Sequence, residues 1–415
     1  MAARTAPAAT AATAASLTHT ATTPGLRHSV WDVAGQPTEV LELPAASEKP
    51  DVHLLVVPGN PGAAPYYEPF MLALHRQLGG RAAVSCPSNL GMDCQGLTPR
   101  GRVYSLEEQV AHKQALLRER LSGPGRPPVV MLGHSIGAYM CIHALHRLER
   151  GSSASSSAEV AALDAVAARE WEHPDAAGAS LDGVQRQLEA ERQAQARRQQ
   201  LQQEGQPEAE RPGGAAGVDR NGSSDSGGRA GEGASSSGVR SNVVKVIGLY
   251  PFLQVDPNCS KQRRLQRITP HHALLGSVAG ALLGAFPMPL RRGLVRALTS
   301  GMDAHAVDVT ARVFATASCV ENGLYMGQTE FEALAAPADW WLLRSLGSRF
   351  AMFAAPDDAW FKRWKWDALH REVPGVEAHW IEDQTHAFCV STQQSEELAA
   401  RIAPIVEAAL PQPKL

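Results

Sequence analysis

The chain has 415 residues, 44% of them apolar, and a formal net charge of −3. That suffices for one large core, while near-neutrality and the lack of a long basic block argue against nucleic acid as a partner. Six scattered cysteines with no CxxC pair argue against a disulfide framework or a zinc ribbon, and for reduced thiols in an intracellular compartment.

Residues 1–26 are rich in Ala and Thr and free of acids, which reads as a disordered tail. Low acid content also suits an organelle transit peptide, but a single Arg in the first 25 residues is thin for one. Residues 27–415 are expected to form one α/β domain. A strand over 52–57 (VHLLVV) leads into the turn Pro58-Gly59-Asn60-Pro61-Gly62. A second strand is expected over 82–86, then a helix over 105–120 with Ser105 as N-cap and Glu107 and Glu108 in its first turn. The apolar tetrad 129–132 reads as a strand, and a helical run follows over 138–150. From 151 to 241 the chain turns to Ser, Gly, Ala, Gln, Glu and Arg. Such a low-complexity insertion buries too little apolar area to offset the entropy of ordering it. It reads as a tolerated surface insertion, or as an interaction linker.

A strand over 243–249 is followed by a stretch, 253–349, without strand pattern, which reads as a helical cap. Within it, 273–290 (ALLGSVAGALLGAFPMPL) is an apolar run near the lower limit for a membrane span. Pro287 and Pro289 break its end. Gly276, Gly280 and Gly284 recur every four residues, and Arg263, Arg264, Arg267, Arg291 and Arg292 flank it. We read it as an interfacial or re-entrant segment that seats in a lipid monolayer; the alternative is a buried helix over the pocket. Strands over 350–354 and 376–381 complete the alternation. Compact Val-, Ile- and Leu-rich strands between helices predict the α/β class, with a mostly parallel sheet buried on both faces.

Between the third strand and its helix stands Gly133-His134-Ser135-Ile136-Gly137. G-x-S-x-G carries chemical meaning when a strand precedes it and a helix follows, because the elbow lifts the Ser hydroxyl above the sheet. Side chains at the two glycine positions would collide with neighbouring backbone. A serine hydroxyl needs a base and an acid to orient the base. On such an elbow both arrive later, each just after a strand. His386, past the last strand, is the best-placed base. Asp358 is the preferred acid, Asp357 the alternative, and Asp383 a third choice too close to His386 in sequence. An oxyanion needs N–H donors: Ile136, just after the Ser, and Asn60, in the early turn. No metal or organic cofactor is required.

"VVPGNPG" with "YYEPF", the helix bearing Gln109, His112 and Lys113, "GHSIGAYM", "LYPF" and "NGLYMGQTEF" together resemble the lipid droplet-associated hydrolase family. The resemblance runs from about residue 51 to residue 409, apart from the insertion. It implies the α/β-hydrolase fold and a serine hydrolase of neutral-lipid esters, such as sterol esters or acylglycerols. It also implies a place on the cytosolic side of lipid droplets and endoplasmic reticulum, with a lipid ester as substrate and the monolayer surface as partner. Ser135 stands at the family's nucleophile and His386 at its base. The family acid lies two residues before a Trp in a glycine-containing turn; Asp358-Ala359-Trp360 keeps the spacing but lacks the glycine. Three rival readings stand beside this one: a thioesterase or other acyl hydrolase using the same residues, a droplet-surface protein acting mainly by binding, and a small-molecule binding module with a degenerate triad.

Overall fold

The computed structural model describes residues 25–151 and 241–410. Most of the expected N-terminal tail and of the expected insertion lies outside them. Eight strands form one sheet, in the order β1-β2-β4-β3-β5-β6-β7-β8. These are β1 (Arg27–Val33), β2 (Gln36–Leu43), β3 (Val52–Val57), β4 (Ala82–Pro87), β5 (Val129–His134), β6 (Val243–Leu249), β7 (Phe350–Ala354) and β8 (Glu377–Trp380). Every pairing from β4 to β8 is parallel, while β1 and β2 run antiparallel at one edge. This is the mostly parallel α/β sheet that the alternation predicted, in the α/β-hydrolase arrangement that the resemblance implied. β3 and β5 are almost wholly buried, as strands covered on both faces must be.

The first hairpin is not among the strands expected from the sequence. Its turn is Ala34-Gly35, both with positive φ (50° and 76°), as a two-residue hairpin turn requires. Ala is an unusual residue there. β1 alternates between exposed and partly covered positions, so it lacks the apolar run that marks the inner strands.

Helix α1 (Glu68–Gln77) follows β3, and α2 (Leu106–Leu116) follows β4. Ser105 caps α2 as expected. Its Oγ accepts from the Glu108 N–H, and Glu108 Oε2 accepts from the Ser105 N–H, a reciprocal capping box. Helix α3 (Ile136–Gly151) starts directly after Ser135. Between β6 and β7 run α4 (Ser260–Ile268), α5 (His272–Gly284), α6 (Met288–Leu298), α7 (Ala304–Val313), α8 (Ala317–Ala333) and α9 (Trp340–Leu346). Helices α10 (Arg363–Glu372) and α11 (Thr392–Ala409) close the described chain.

The run 273–290 is not one segment. α5 ends at Gly284, the chain turns through Pro287, and α6 begins at Met288. Arg291 fastens the turn by donating to the carbonyls of Phe286 (2.6 Å) and Gly284 (2.7 Å). Leu274, Val278, Leu282, Phe286, Leu290, Leu294 and Leu298 are all exposed, at steps of four across both helices. Only Gly276 of α5, and no residue of α6, is buried. Exposed apolar side chains therefore continue eight residues past Leu290. No helix among the described residues is long and apolar enough to cross a membrane.

Candidate active site

The C-terminal ends of the parallel strands meet at Ser135. Its φ is +54°, a strained conformation for a residue with a Cβ and one that clusters at functional sites. Its backbone is fixed on both sides: the N–H donates to the Leu249 carbonyl (2.9 Å), and the carbonyl accepts from Phe252 N–H and Ala138 N–H (3.1 Å each). The two glycines are needed for close approach. A Cβ on Gly137 would stand 2.4 Å from the Val57 carbonyl oxygen, and one on Gly133 2.5 Å from the Ala138 Cα.

Ser135 Oγ lies 3.0 Å from His386 Nε2, and His386 Nδ1 lies 2.9 Å from Asp358 Oδ2. A carboxylate only accepts, so Nδ1 carries the proton. In the neutral ring Nε2 is then the acceptor for the Ser135 hydroxyl. Asp358 is 1% exposed. Its Oδ1 accepts from the Trp360 N–H at 2.7 Å, an Asx turn that fixes the carboxyl. Asp357 is exposed. Asp383 pairs with Arg401 at 3.0 Å. The structure thus brings together Ser135, His386 and Asp358 and leaves the other two acids aside.

The turn after β3 passes beside Ser135, where a Cβ on Gly59 would come within 3.0 Å of the Ser135 Cβ. Pro58 and Pro61 have no N–H. The Gly59 N–H donates to Tyr67 Oη (2.9 Å) and the Gly62 N–H to Met92 Sδ (3.0 Å). Among residues 58–62 this leaves the N–H of Asn60. The N–H of Ile136, first in α3, has no acceptor within its own helix. The N–H groups of Asn60 and Ile136 are thus the candidate donors beside Ser135.

Several supporting residues did not stand out in the sequence. His134 Nε2 donates to the His386 carbonyl at 2.8 Å, which makes its Nδ1 an acceptor, and Tyr67 Oη lies 2.6 Å from it. Tyr67 Oη accepts from Gly59 in turn. One directed chain therefore runs from the loop after β3 through Tyr67 and His134 to the loop of His386. Burial, aided by His386, pushes His134 down to about 3, which keeps it neutral. Lys365 Nζ, itself pushed down to about 8 by burial, donates to the carbonyls of Trp360 (2.7 Å) and Gln254 and steadies the Asp358 turn. In the sequence Lys365 reads as one cation among several on α10, and only its place on the buried face distinguishes it. Gln109, His112 and Lys113 are used for the scaffold instead. Gln109 bonds both the N–H and the carbonyl of Leu90 at 2.9 Å, and Lys113 Nζ meets His112 Nδ1 at 3.3 Å.

Buried neutral histidines make the fold sensitive to acid. Burial lowers His53 and His143 to about 4, beside His134 at about 3. Their unfolded values lie near 6.5, so between pH 6.5 and 4 the unfolded chain binds more protons and stability falls with pH. At pH 5 each of the three costs roughly 2 kcal/mol. Glu330, raised to about 8 by burial, acts in the opposite direction across the same window. His112, held well below 6.5 by burial and Lys113, adds to the loss, so a net fall in stability from pH 7 to pH 5 is expected in urea melts; equal stability at the two values would contradict it.

Residues 50–161 and 233–389 match the family model described as lipid-droplet associated hydrolase. The rat lipid droplet-associated hydrolase is 33% identical over 115 residues, covering 24% of this chain and 34% of the rat protein. That of Dictyostelium discoideum is 24% identical over 103 residues, covering 23% and 33%. The chain thus spans about a third of the length of the curated relatives it matches. Among solved structures, an epoxide hydrolase from Vigna radiata superposes with a TM-score of 0.50 at 14% identity, over 92% of this chain and 99% of that one. That likeness concerns the fold alone. Because the family model spans both the strands that lead to Ser135 and the turn that carries Asp358, the chain belongs to the lipid-droplet associated hydrolase family.

Proposed function

We propose that the protein is a serine hydrolase of lipid esters that works at the surface of neutral-lipid stores. The observation that carries this reading is the row Ser135–His386–Asp358, at 3.0 and 2.9 Å, on a strand-to-helix elbow. His386 takes the Ser135 proton as Oγ attacks the ester carbonyl. Asp358 holds the ring in the required tautomer and stabilises its charged form. The N–H groups of Asn60 and Ile136 meet the oxyanion. His386 then protonates the leaving alcohol and later activates the water that releases the acid. No metal or organic cofactor enters these steps. Sterol esters and acylglycerols are the substrates the reading names, and droplets or the cytosolic face of the endoplasmic reticulum the location.

The row of exposed apolar side chains from Leu274 to Leu298 supports seating on a lipid monolayer. Arg263, Arg264, Arg267 and Arg296, all exposed, lie on the neighbouring turns, where they can meet lipid headgroups.

Fluorophosphonate labelling of the purified protein, with and without lipid emulsion, followed by ester and thioester panels, tests the reading. Labelling with turnover of lipid esters is expected. A folded protein that never labels, even on lipid, would sink it in favour of a droplet-binding role. Replacing Leu274, Leu282, Leu290 and Leu298 by Gln is expected to lower flotation with droplets by roughly 100-fold or more, at about 1 kcal/mol for each half-seated side chain. Labelling by a soluble probe without lipid should persist. Unchanged flotation would remove this face from the proposal.

A further inference from the structure

The Asn60 side chain is held from a distant part of the sequence. Its Nδ2 donates to two acceptors on α8, the Gly323 carbonyl at 2.8 Å and Glu330 Oε1 at 2.9 Å. Glu330 is 5% exposed. With its carboxyl raised to about 8 by burial, it is mostly a neutral acid at pH 7, so a glutamine is its nearest replacement. α8 packs closely on the loop at Gly323, where a Cβ would stand a tight 3.3 Å from Asn60 Oδ1, and makes ordinary contact at Gly327, where one would stand 3.5 Å from Nδ2. Both Asn60 amide hydrogens are thus spent on one helix, beside the backbone N–H that remains for the oxyanion.

The same helix carries α5 on its other side. A Cβ on Gly276 would reach 2.7 Å from the Glu321 Cβ, and one on Gly280 2.6 Å from the Ala317 Cβ. No flexible side chain separates the two helices at these points, so a displacement of α5 is passed to α8 rather than absorbed. The exposed Leu274, Val278 and Leu282 belong to that α5.

We propose that Glu330 is a positioning residue for the oxyanion-binding N–H of Asn60, and that α8 couples its position to seating of the α5–α6 apolar face on lipid. This rests on the hydrolase reading above. A shift of a few tenths of an ångström in a preorganised donor changes its worth in the transition state more than in the bound ester. The effect therefore falls on kcat rather than KM.

The test uses the full chain, a soluble p-nitrophenyl butyrate substrate, fluorophosphonate labelling rates, and a phospholipid-coated triacylglycerol emulsion as the lipid surface. Glu330→Leu keeps the volume and removes the acceptor; it should lower kcat roughly 10- to 100-fold while KM stays within about twofold. Glu330→Gln restores an acceptor and should recover most of that loss. Asn60→Ala keeps the backbone N–H but loses both bonds to α8, and should lose at least as much as Glu330→Leu. The double variant should be no worse than Asn60→Ala alone, because that change already removes the bond to Glu330. Emulsion should raise the wild-type labelling rate severalfold, and both Glu330→Leu and Asn60→Ala should lose most of that rise. Wild-type kcat in Glu330→Leu, equal losses in the Leu and Gln variants, or a lipid response that survives in both variants overturns the proposal. If Glu330→Leu does not fold, Asn60→Ala decides by the same criteria. A folded wild type that neither labels nor turns over ester overturns the hydrolase reading and this proposal with it. A working wild type matched by its variants overturns the positioning alone.

Discussion

Ser135→Ala is expected to abolish fluorophosphonate labelling and to lower ester turnover by roughly 10⁵- to 10⁶-fold. The hydroxyl is the only group at the elbow placed to attack, 3.0 Å from His386 Nε2, and nothing bonded to it can replace its oxygen. Asp358→Asn is expected to cost roughly 10⁴-fold in kcat with little effect on the fold. The Asn amide would offer a donor to His386 Nδ1 where the carboxylate offers only acceptors. That favours the tautomer whose Nε2 carries the proton and cannot take another from Ser135. Single-turnover labelling and steady-state kcat on a soluble ester check both variants. A Ser135→Ala protein that still labels, or an Asp358→Asn protein near wild-type rate, would contradict the assignment.

Gly137→Ala is expected to cost about 2–4 kcal/mol of stability and most of the activity of whatever folds. The added methyl would stand 2.4 Å from the Val57 oxygen and 2.5 Å from the Pro58 oxygen. Both are backbone atoms at the end of β3, with no rotamer to yield. Relief requires moving either α3, and with it the Ile136 N–H, or the loop that holds Asn60. Thermal melts beside labelling rates measure both effects. A variant with wild-type melting temperature and labelling rate would show that the elbow has slack that these distances deny. Gly293, by contrast, has open space around its Cβ direction, and Gly293→Ala on the exposed α6 serves as a control.

The inner strands were legible because burial on both faces leaves continuous Val- and Leu-rich runs. The ranges 52–57, 243–249 and 350–354 read from sequence are those observed. The edge hairpin was not, since half-exposed strands lose that run and Ala34 disguises the turn. Ser135, His386 and Asp358 were legible as an order along the chain. Their convergence depends on β5, β7 and β8 ending on one side of the sheet, which a parallel sheet guarantees. His134 was hidden because its role lies in a bond to a main-chain carbonyl 252 positions away. Glu330 lies inside the NGLYMGQTEF motif, but its role was hidden for a similar reason, since only the fold buries it against Asn60. The apolar face on α5 and α6 was half legible, since the composition of 273–290 announced it while the mixed sequence of α6 concealed its continuation.

The two ends between which residues 152–240 are inserted have a practical use. α3 starts at Ile136, directly after Ser135, and runs 16 residues, about 24 Å, to Gly151. On the return side, the Asn242 carbonyl accepts from the Val129 N–H at 2.9 Å, at the end of β5 opposite Ser135. Both junctions therefore lie at the far rim of the sheet from the Ser135–His386 pair. A fluorescent protein or affinity tag spliced between residues 151 and 241 would be tethered there. It would leave the chain's termini and the apolar helices untouched, which suits this junction for testing by imaging whether the protein sits on droplets.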